Sequence, residues 1–521
     1  MMSSTRGTST AATSFGALRG VAEDGLAIFR GVPYARSPLG QLRFAPPQPP
    51  DGWIGVREAT AFGPKAIQAA SALSEGLNVQ TPSSEDCLTL NVWTPALDDA
   101  RRPVMVYLHG GAFVTGSGSM PMYHGAALAR RGDVVVVNLN YRLGLFGYLR
   151  GIDVCGDALP STGNEGLLDQ IAALRWVKQE IAAFGGDPDN VTVFGQSAGA
   201  RSIAMMLAMP SPRELFQKAI LQSGPALALP SARANRVMEA ILADLALEPH
   251  EAGRLRELPA DQLLDVQLRV TPRAAGVAYG PTCDGVTVPS DPESVVAAGN
   301  AAGIPLMVGT TRDEYKFFRR LDPDVDTLTD DALLARLASP QIGVQAGDDA
   351  RVDPAEAVAL YRQTRAARGE STAASELWFA IMTDRRFRVP GMRLAELHAA
   401  HTPDTYTYLF TWQSPGWGGK LGAGHVVDVP FVLGTLDARD AQDLVPAGSD
   451  VGQLPAQMQD AWIAFARTGS PRTPALTGWA PYSAACRATM ILGPTCHPED
   501  APFDAERQLW DARVGASGAP A

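Results

Sequence analysis

A mostly parallel α/β sheet covered by helices on both sides is the fold this sequence predicts, with a small β-region at its N-terminus. Three observations predict it. Short continuous apolar runs recur, as strands buried on both faces require; Val104-Met105-Val106-Tyr107-Leu108 and Val134-Val135-Val136-Val137 are the clearest. Stretches with apolar residues at helical spacing alternate with them. A Gly-x-Ser-x-Gly pentapeptide, Gly195-Gln196-Ser197-Ala198-Gly199, stands where one such strand gives way to a helix.

From the N-terminus, residues 1–12 are rich in Ser and Thr and are expected to be a disordered tail. Residues 14–60 are rich in Gly and Pro, with short β-like runs at Leu26-Ala27-Ile28-Phe29 and Gly31-Val32-Pro33-Tyr34. Residues 65–86 are small and polar and read as a surface loop. After the strands at 104–108 and 134–137, Leu167, Leu168, Ile171, Leu174, Val177, Ile181 and Phe184 mark a helix that Gly185-Gly186-Asp187-Pro188 stops. Val191-Thr192-Val193 leads into Ser197, and Ser202-Ile203-Ala204-Met205-Met206-Leu207 continues as helix. Further strands are expected at 219–222, 304–310 and 406–411, and a last helix near 455–467 carries Trp462 and Phe465. No repeat or linker interrupts this alternation, so residues 13–513 are expected to form one domain, with 514–521 a flexible tail.

The 521 residues are 46% apolar and 19% charged, which suits a large core. A net charge of −11 argues against a nucleic-acid or anionic-membrane partner. Cys87, Cys155, Cys283, Cys486 and Cys496 form neither a disulfide framework nor a metal-ligand spacing. No window approaches the length of a membrane span, and the N-terminus lacks the apolar segment of a secretory signal. A cytoplasmic protein, monomer or homodimer, acting without metal or cofactor is therefore expected.

Chemistry centres on Ser197. A serine on a sharp strand-to-helix turn is exposed at the sheet edge, and the amide end of the following helix favours developing negative charge. Serine needs a base, and the base needs a carboxylate to hold its tautomer. His109 and His124 precede the serine, His250, His398 and His401 fall in stretches that read as helix surface or helix end, and His497 lies near the C-terminus. His425, in the Gly-rich segment Gly422-Ala423-Gly424-His425, is the candidate base. For the acid, Asp313 and Glu314 both follow the strand ending in Val308-Gly309-Thr310; order and spacing do not separate them, and Asp169, Asp284 and Asp428 are weaker candidates. His109-Gly110-Gly111-Ala112-Phe113 follows the strand at 104–108 and can turn backbone N–H groups toward an oxyanion, joined by the N–H of Ala198. Losing one such donor typically costs about 3–4 kcal/mol of transition-state stabilisation.

Together these segments resemble the type-B carboxylesterases, the family of bacterial para-nitrobenzyl esterases and cholinesterases. The resemblance covers roughly residues 14–485. It rests on Phe29-Arg30-Gly31-Val32-Pro33-Tyr34-Ala35, Arg43-Phe44-Ala45-Pro46-Pro47, Ser84-Glu85-Asp86-Cys87-Leu88-Thr89-Leu90-Asn91-Val92, Asn140-Tyr141-Arg142-Leu143-Gly144, Asn164-Glu165-Gly166-Leu167-Leu168-Asp169-Gln170, Gln222-Ser223-Gly224 and Phe465-Ala466-Arg467-Thr468-Gly469. It implies an α/β-hydrolase fold and hydrolysis of small-molecule carboxylic esters, small to medium and neutral or aromatic, through an acyl-serine. It assigns the catalytic roles to Ser197, Glu314 and His425 and the oxyanion donors to Gly111, Ala112 and Ala198. Carbamate, amide or lactone hydrolysis on the same scaffold is the alternative, with a non-catalytic binding protein as a remoter one.

Three departures from the family pattern stand out. Gln196 replaces the Glu that many members carry before the nucleophile, which predicts weaker attraction for cationic substrates than in cholinesterases. Cys87 matches half of a family disulfide, but its partner position holds Ala66, so the loop 65–86 is expected to be open and mobile at the pocket mouth. That loop also lacks the tryptophan that binds choline groups in cholinesterases. Phe113, Phe317, Phe318, Trp378 and Trp417 are the expected pocket-wall aromatics.

Overall fold

The computed structural model describes residues 7–70, 81–210, 212–273, 278–339 and 352–511. Its spine is a 13-stranded sheet. Seven central strands run parallel, in the spatial order Val135–Leu139, Arg102–Leu108, Gly186–Gln196, Lys218–Gln222, Leu306–Thr311, Thr405–Phe410 and Ala488–Leu492. The N-terminal strands and Thr89–Thr94 extend one side antiparallel, and His497–Asp500 closes the other. This is the α/β-hydrolase architecture, with helices on both faces.

Burial explains the apolar runs. Val104 to Leu108 and Val134 to Val137 are at most 1% exposed, and each strand feeds side chains into two separate cores. Alternate residues of Arg102–Leu108 divide between them: Val104, Val106 and Leu108 pack on one face, Met105 and Tyr107 on the other. Helix Glu165–Glu180 runs on through a 3-10 turn to Phe184 and ends where Gly185 adopts a left-handed φ of 75°. Helix Leu454–Thr468 lays Trp462 and Phe465 into the second core.

The disordered stretch expected over residues 1–12 needs correction. Gly7–Thr13 is a strand, paired antiparallel with Gly16–Glu23 through a full register from Gly7–Ala22 to Thr13–Gly16. Its Ser, Thr and Ala side chains carry little hydrophobic signal, and only Ala11 is buried. The ladder hydrogen bonds to the next strand, rather than burial, make it a strand. Residues 1–6 and the tail at 514–521 lie outside the described residues. So does the middle of the loop 65–86, whose ends are joined by a bridge between Lys65 and Ser83. Cys87 is a free thiol; it and Ala66 are both buried and line one small cavity.

Connectivity builds a crevice. From Arg102–Leu108 the chain goes to one neighbour, Val135–Leu139, and then crosses to the other, Gly186–Gln196. The loops leaving Leu108 and Gln196 therefore lie side by side at the carboxyl ends of adjacent parallel strands, where α/β sheets build their sites.

Candidate active site

Ser197 sits between strand Gly186–Gln196 and helix Ala198–Ala208 with φ 55° and ψ −118°, a conformation a non-glycine residue holds only under constraint. The constraint is visible. Its N–H donates to the Gln222 carbonyl at 2.8 Å, and its carbonyl accepts from Arg201 N–H at 2.9 Å. A Cβ at Gly199 would stand 2.0 Å from the Leu108 carbonyl oxygen, and one at Gly195 2.7 Å from the same atom. The glycines let the helix close down on the neighbouring strand and hold the turn.

The loop after Leu108 is equally constrained. Gly111 has φ +116° and Ala112 φ +53°. The backbone N–H groups of Gly111, Ala112 and Ala198 meet no acceptor among the described residues. Gln68 braces this loop by accepting from Gly116 N–H and Thr115 Oγ1, both at 2.9 Å, and Tyr141 donates to the His109 carbonyl at 2.8 Å. His109 itself is buried, stacks on Tyr141 and holds the Gly110 carbonyl at 2.7 Å through Nδ1. Burial pulls its pKa down to about 4, against the opposing pull of that hydrogen bond, so at neutral pH it is an uncharged prop.

His425 and Glu314 meet at the other side of the crevice. Nδ1 of His425 lies 2.5 Å from Glu314 Oε2. Glu314 Oε1 accepts from Thr311 N–H at 2.8 Å, and the Glu314 carbonyl accepts from His425 N–H at 3.3 Å. Both side chains are almost completely buried. Asp313 takes a different part. Its Oδ2 accepts from Ala423 N–H at 3.0 Å and Gln413 Nε2 at 3.2 Å, so it anchors the segment that carries His425.

His425 Nε2 is turned to Gln196, 3.0 Å from its Nε2. Among the described residues no hydrogen bond joins Ser197 Oγ to His425. The Gln196 amide N–H donates to the Nε2 lone pair, which leaves the ring proton on Nδ1, facing Glu314. This is the tautomer a general base needs. Catalytic hydrogen bonds often tighten only when substrate is bound.

Of the expected wall aromatics, Phe317 and Phe318 lie 5.9 and 5.5 Å from the His425 ring. Trp417 stands behind Phe317 at 5.8 Å. Trp378 packs on Tyr315 at 6.0 Å in a separate apolar cluster, and Phe113 is buried edge-on to Tyr148. Sequence reasoning missed Phe387, which comes nearest His425 at 4.8 Å. It stands in a π-helical turn, Asp384–Arg388, set between two α-helices; it is the one apolar residue among the charged side chains of that turn, and no motif in the sequence places it at the site. His398, read as helix surface, is instead buried, with Nε2 2.8 Å from the Ile304 carbonyl. Among the described residues, no group of three or more His, Cys, Asp or Glu is placed to hold a metal ion. Nor is any described helix long and apolar enough to cross a membrane.

Behind the site, Asp428 accepts from Gln222 Nε2 at 2.8 Å and Tyr408 Oη at 3.1 Å through Oδ2, while its buried Oδ1 has no partner among the described residues. Burial, reinforced by Glu314, pushes its pKa up to about 6 against the pull of those two donors. The folded state then holds a proton that the unfolded chain releases near pH 4, so this group's contribution is full below pH 4 and is lost as pH rises through about 6. Asp428→Asn keeps an acceptor for Gln222 and Tyr408 and removes the titration. Its stability relative to wild type is expected to rise between about pH 4 and 6 and then level off, by at most about 3 kcal/mol. Urea midpoints across that range check this; a pH-independent difference counts against it.

The sequence profile of the carboxylesterase family matches residues 7–510. The chain is 39% identical over 501 residues to the para-nitrobenzyl esterase of Bacillus subtilis (strain 168), covering 95% of this chain and 97% of that protein. It is 37% identical over 497 residues to the phenmedipham hydrolase of Pseudarthrobacter oxydans, covering 92% and 94%. Among solved structures, the Geobacillus stearothermophilus carboxylesterase EST55 superposes with a TM-score of 0.85 at 40% identity, over 96% of this chain and 99% of that one. A thermophilic PNB esterase superposes with a TM-score of 0.83 at 37% identity, with the same coverage.

Proposed function

The chain belongs to the carboxylesterase family and is a serine carboxylesterase, and from that premise we propose that Ser197, His425 and Glu314 carry its chemistry through an acyl-serine intermediate. The observation that carries the assignment is the 2.5 Å contact between His425 Nδ1 and Glu314 Oε2 beside a serine held at φ 55°.

On substrate binding, His425 Nε2 exchanges Gln196 for the Ser197 hydroxyl and takes its proton as Oγ attacks the ester carbonyl. Glu314 stabilises the imidazolium. The N–H groups of Gly111, Ala112 and Ala198 receive the oxyanion. His425 then protonates the leaving alcohol, and water repeats the cycle to release the acid. Phe317, Phe318 and Phe387 exclude water around the imidazole and offer apolar walls to the ester group nearest the scissile bond. The proposed substrates are thus small to medium esters with an apolar or aromatic portion at that point.

Turnover of nitrophenyl esters of graded acyl length, with an organophosphate trap located by peptide mass, tests the reading. Stoichiometric labelling of Ser197 with parallel loss of activity is expected; activity that survives full labelling, or labelling elsewhere, refutes it. Matched carbamates and lactones in the same assay measure the alternative.

Gln196 has its own expected signature. Gln196→Glu puts a carboxylate 3.0 Å from His425 Nε2, where it favours the protonated ring. The acidic limb of the kcat/KM profile is expected to move to higher pH, and hydrolysis of cationic esters to gain relative to neutral ones. Equal effects on both ester classes with an unmoved pH profile would show that Gln196 only fills space.

A further inference from the structure

The two oxyanion donors proposed in the loop after Leu108 each share a peptide plane with a carbonyl that is already held. A peptide bond is planar and trans, so its C=O and N–H point to opposite sides. The Gly111 carbonyl accepts from the N–H groups of Val114 and Thr115, both at 3.0 Å, which turns the Ala112 N–H the other way. The Gly110 carbonyl is held by His109 Nδ1 at 2.7 Å, which does the same for the Gly111 N–H.

Thr115 and Gly116 are the seat on which both planes rest. A Cβ at Gly111 would stand 2.0 Å from the Thr115 carbonyl oxygen, and one at Gly116 would stand 2.6 Å from the Gly110 carbonyl oxygen. With backbone packed this closely, a shift at 115 or 116 passes directly to the donors.

One side chain from a distant segment fixes that seat. Gln68 Oε1 accepts from Gly116 N–H and Thr115 Oγ1, both at 2.9 Å. Its Nε2 donates to the Gly116 carbonyl at 2.9 Å and to the Ala66 carbonyl at 3.0 Å. The oxygen thus accepts twice and the nitrogen donates twice, the full capacity of an amide. Both backbone groups of Gly116 end on it. The far end of the same loop grips a little further along, where Thr81 Oγ1 lies 2.9 Å from Ser119 Oγ.

We infer that Gln68 is a positioning residue for the oxyanion hole: its amide fixes Thr115 and Gly116, and through them the direction of the Gly111 and Ala112 N–H groups. The inference rests on the reading of those groups as the oxyanion donors. A residue that only fastened the loop 65–86 to the body of the protein would act on stability and on substrate entry. Gln68 acts on the transition state, through backbone it never leaves.

A pair of matched ligands separates the two roles. An aryl trifluoromethyl ketone bonds through its carbonyl carbon to Ser197 Oγ, the hydroxyl proton passes to His425, and the carbonyl oxygen becomes an oxyanion. The alcohol made by reducing that ketone has the same shape and forms no such adduct. Losing one oxyanion donor outright costs about 10²–10³ in kcat, and tilting two costs less. Gln68→Met is therefore expected to lower kcat on a nitrophenyl ester about 10–100-fold with KM little changed, and to weaken the ketone by the same factor while the alcohol binds as before. Thr115→Val breaks one of the four bonds and is expected to move kcat and ketone affinity the same way by less, with Thr115→Ser, which keeps the hydroxyl, restoring both. This second pair decides the matter if Gln68→Met does not fold. A kcat unchanged by Gln68→Met and Thr115→Val, or a loss shared equally by ketone and alcohol, overturns the positioning role and leaves the esterase reading standing. No turnover of any ester by the unaltered protein, with no organophosphate label on Ser197, overturns that reading and this role with it.

Discussion

Ser197→Ala is expected to lower kcat on a nitrophenyl ester by about a million-fold, with binding of the ester retained. The variant keeps its Cβ, so the constraint at φ 55° is met much as before and the fold is not at stake. Only the oxygen proposed to form the acyl bond is lost. What survives is the contribution of the oxyanion donors and of substrate positioning, about 10³–10⁴-fold over water. Loss of organophosphate labelling and of the pre-steady-state burst checks the result. Residual activity within about a hundredfold of wild type would mean that another group attacks the ester, and the assignment of Ser197 would fall.

Glu314→Gln is expected to lower kcat by about 10⁴-fold, by a route that leaves every heavy atom in place. Glu314 accepts at both oxygens: Oε1 takes the Thr311 N–H and Oε2 takes the His425 Nδ1 proton. A glutamine satisfies Thr311 with its remaining carbonyl oxygen and then turns N–H donors toward Nδ1. Nδ1 becomes an acceptor, the ring proton moves to Nε2, and the lone pair that should take the serine proton is gone. The imidazolium also loses its counter-charge. The two neutral tautomers hold the same number of protons, so their balance does not change with pH and the loss is expected to persist at high pH. A variant active within tenfold of wild type would show that Asp313, or another carboxylate, supports the histidine. The observed contacts of Asp313 with Ala423 and Gln413 fit an anchoring part instead.

Much of this arrangement was legible before any coordinates. The parallel strands were readable because burial on both faces leaves no room for polar residues, as in Val134 to Val137. The turn at Ser197 was readable because close packing against Leu108 admits only glycine at 195 and 199, and that leaves a mark in the sequence. The strand Gly7–Thr13 was not, because small polar residues on an edge carry no burial pattern; its partner strand is what selects the extended form. Asp313 and Glu314 could not be told apart by spacing, since neighbours in sequence differ only in which way a turn points them. The family resemblance separated them.

Sequence alone determined the sheet, the order of the chemical groups along it and the family, because each of these is written in local burial and turn geometry. Tertiary structure decided which atoms meet: that His425 rests against Gln196, 229 positions away, and that the Phe387 ring packs against it. Those meetings depend on rotamers and helix register set by packing among distant segments, and no local pattern records them.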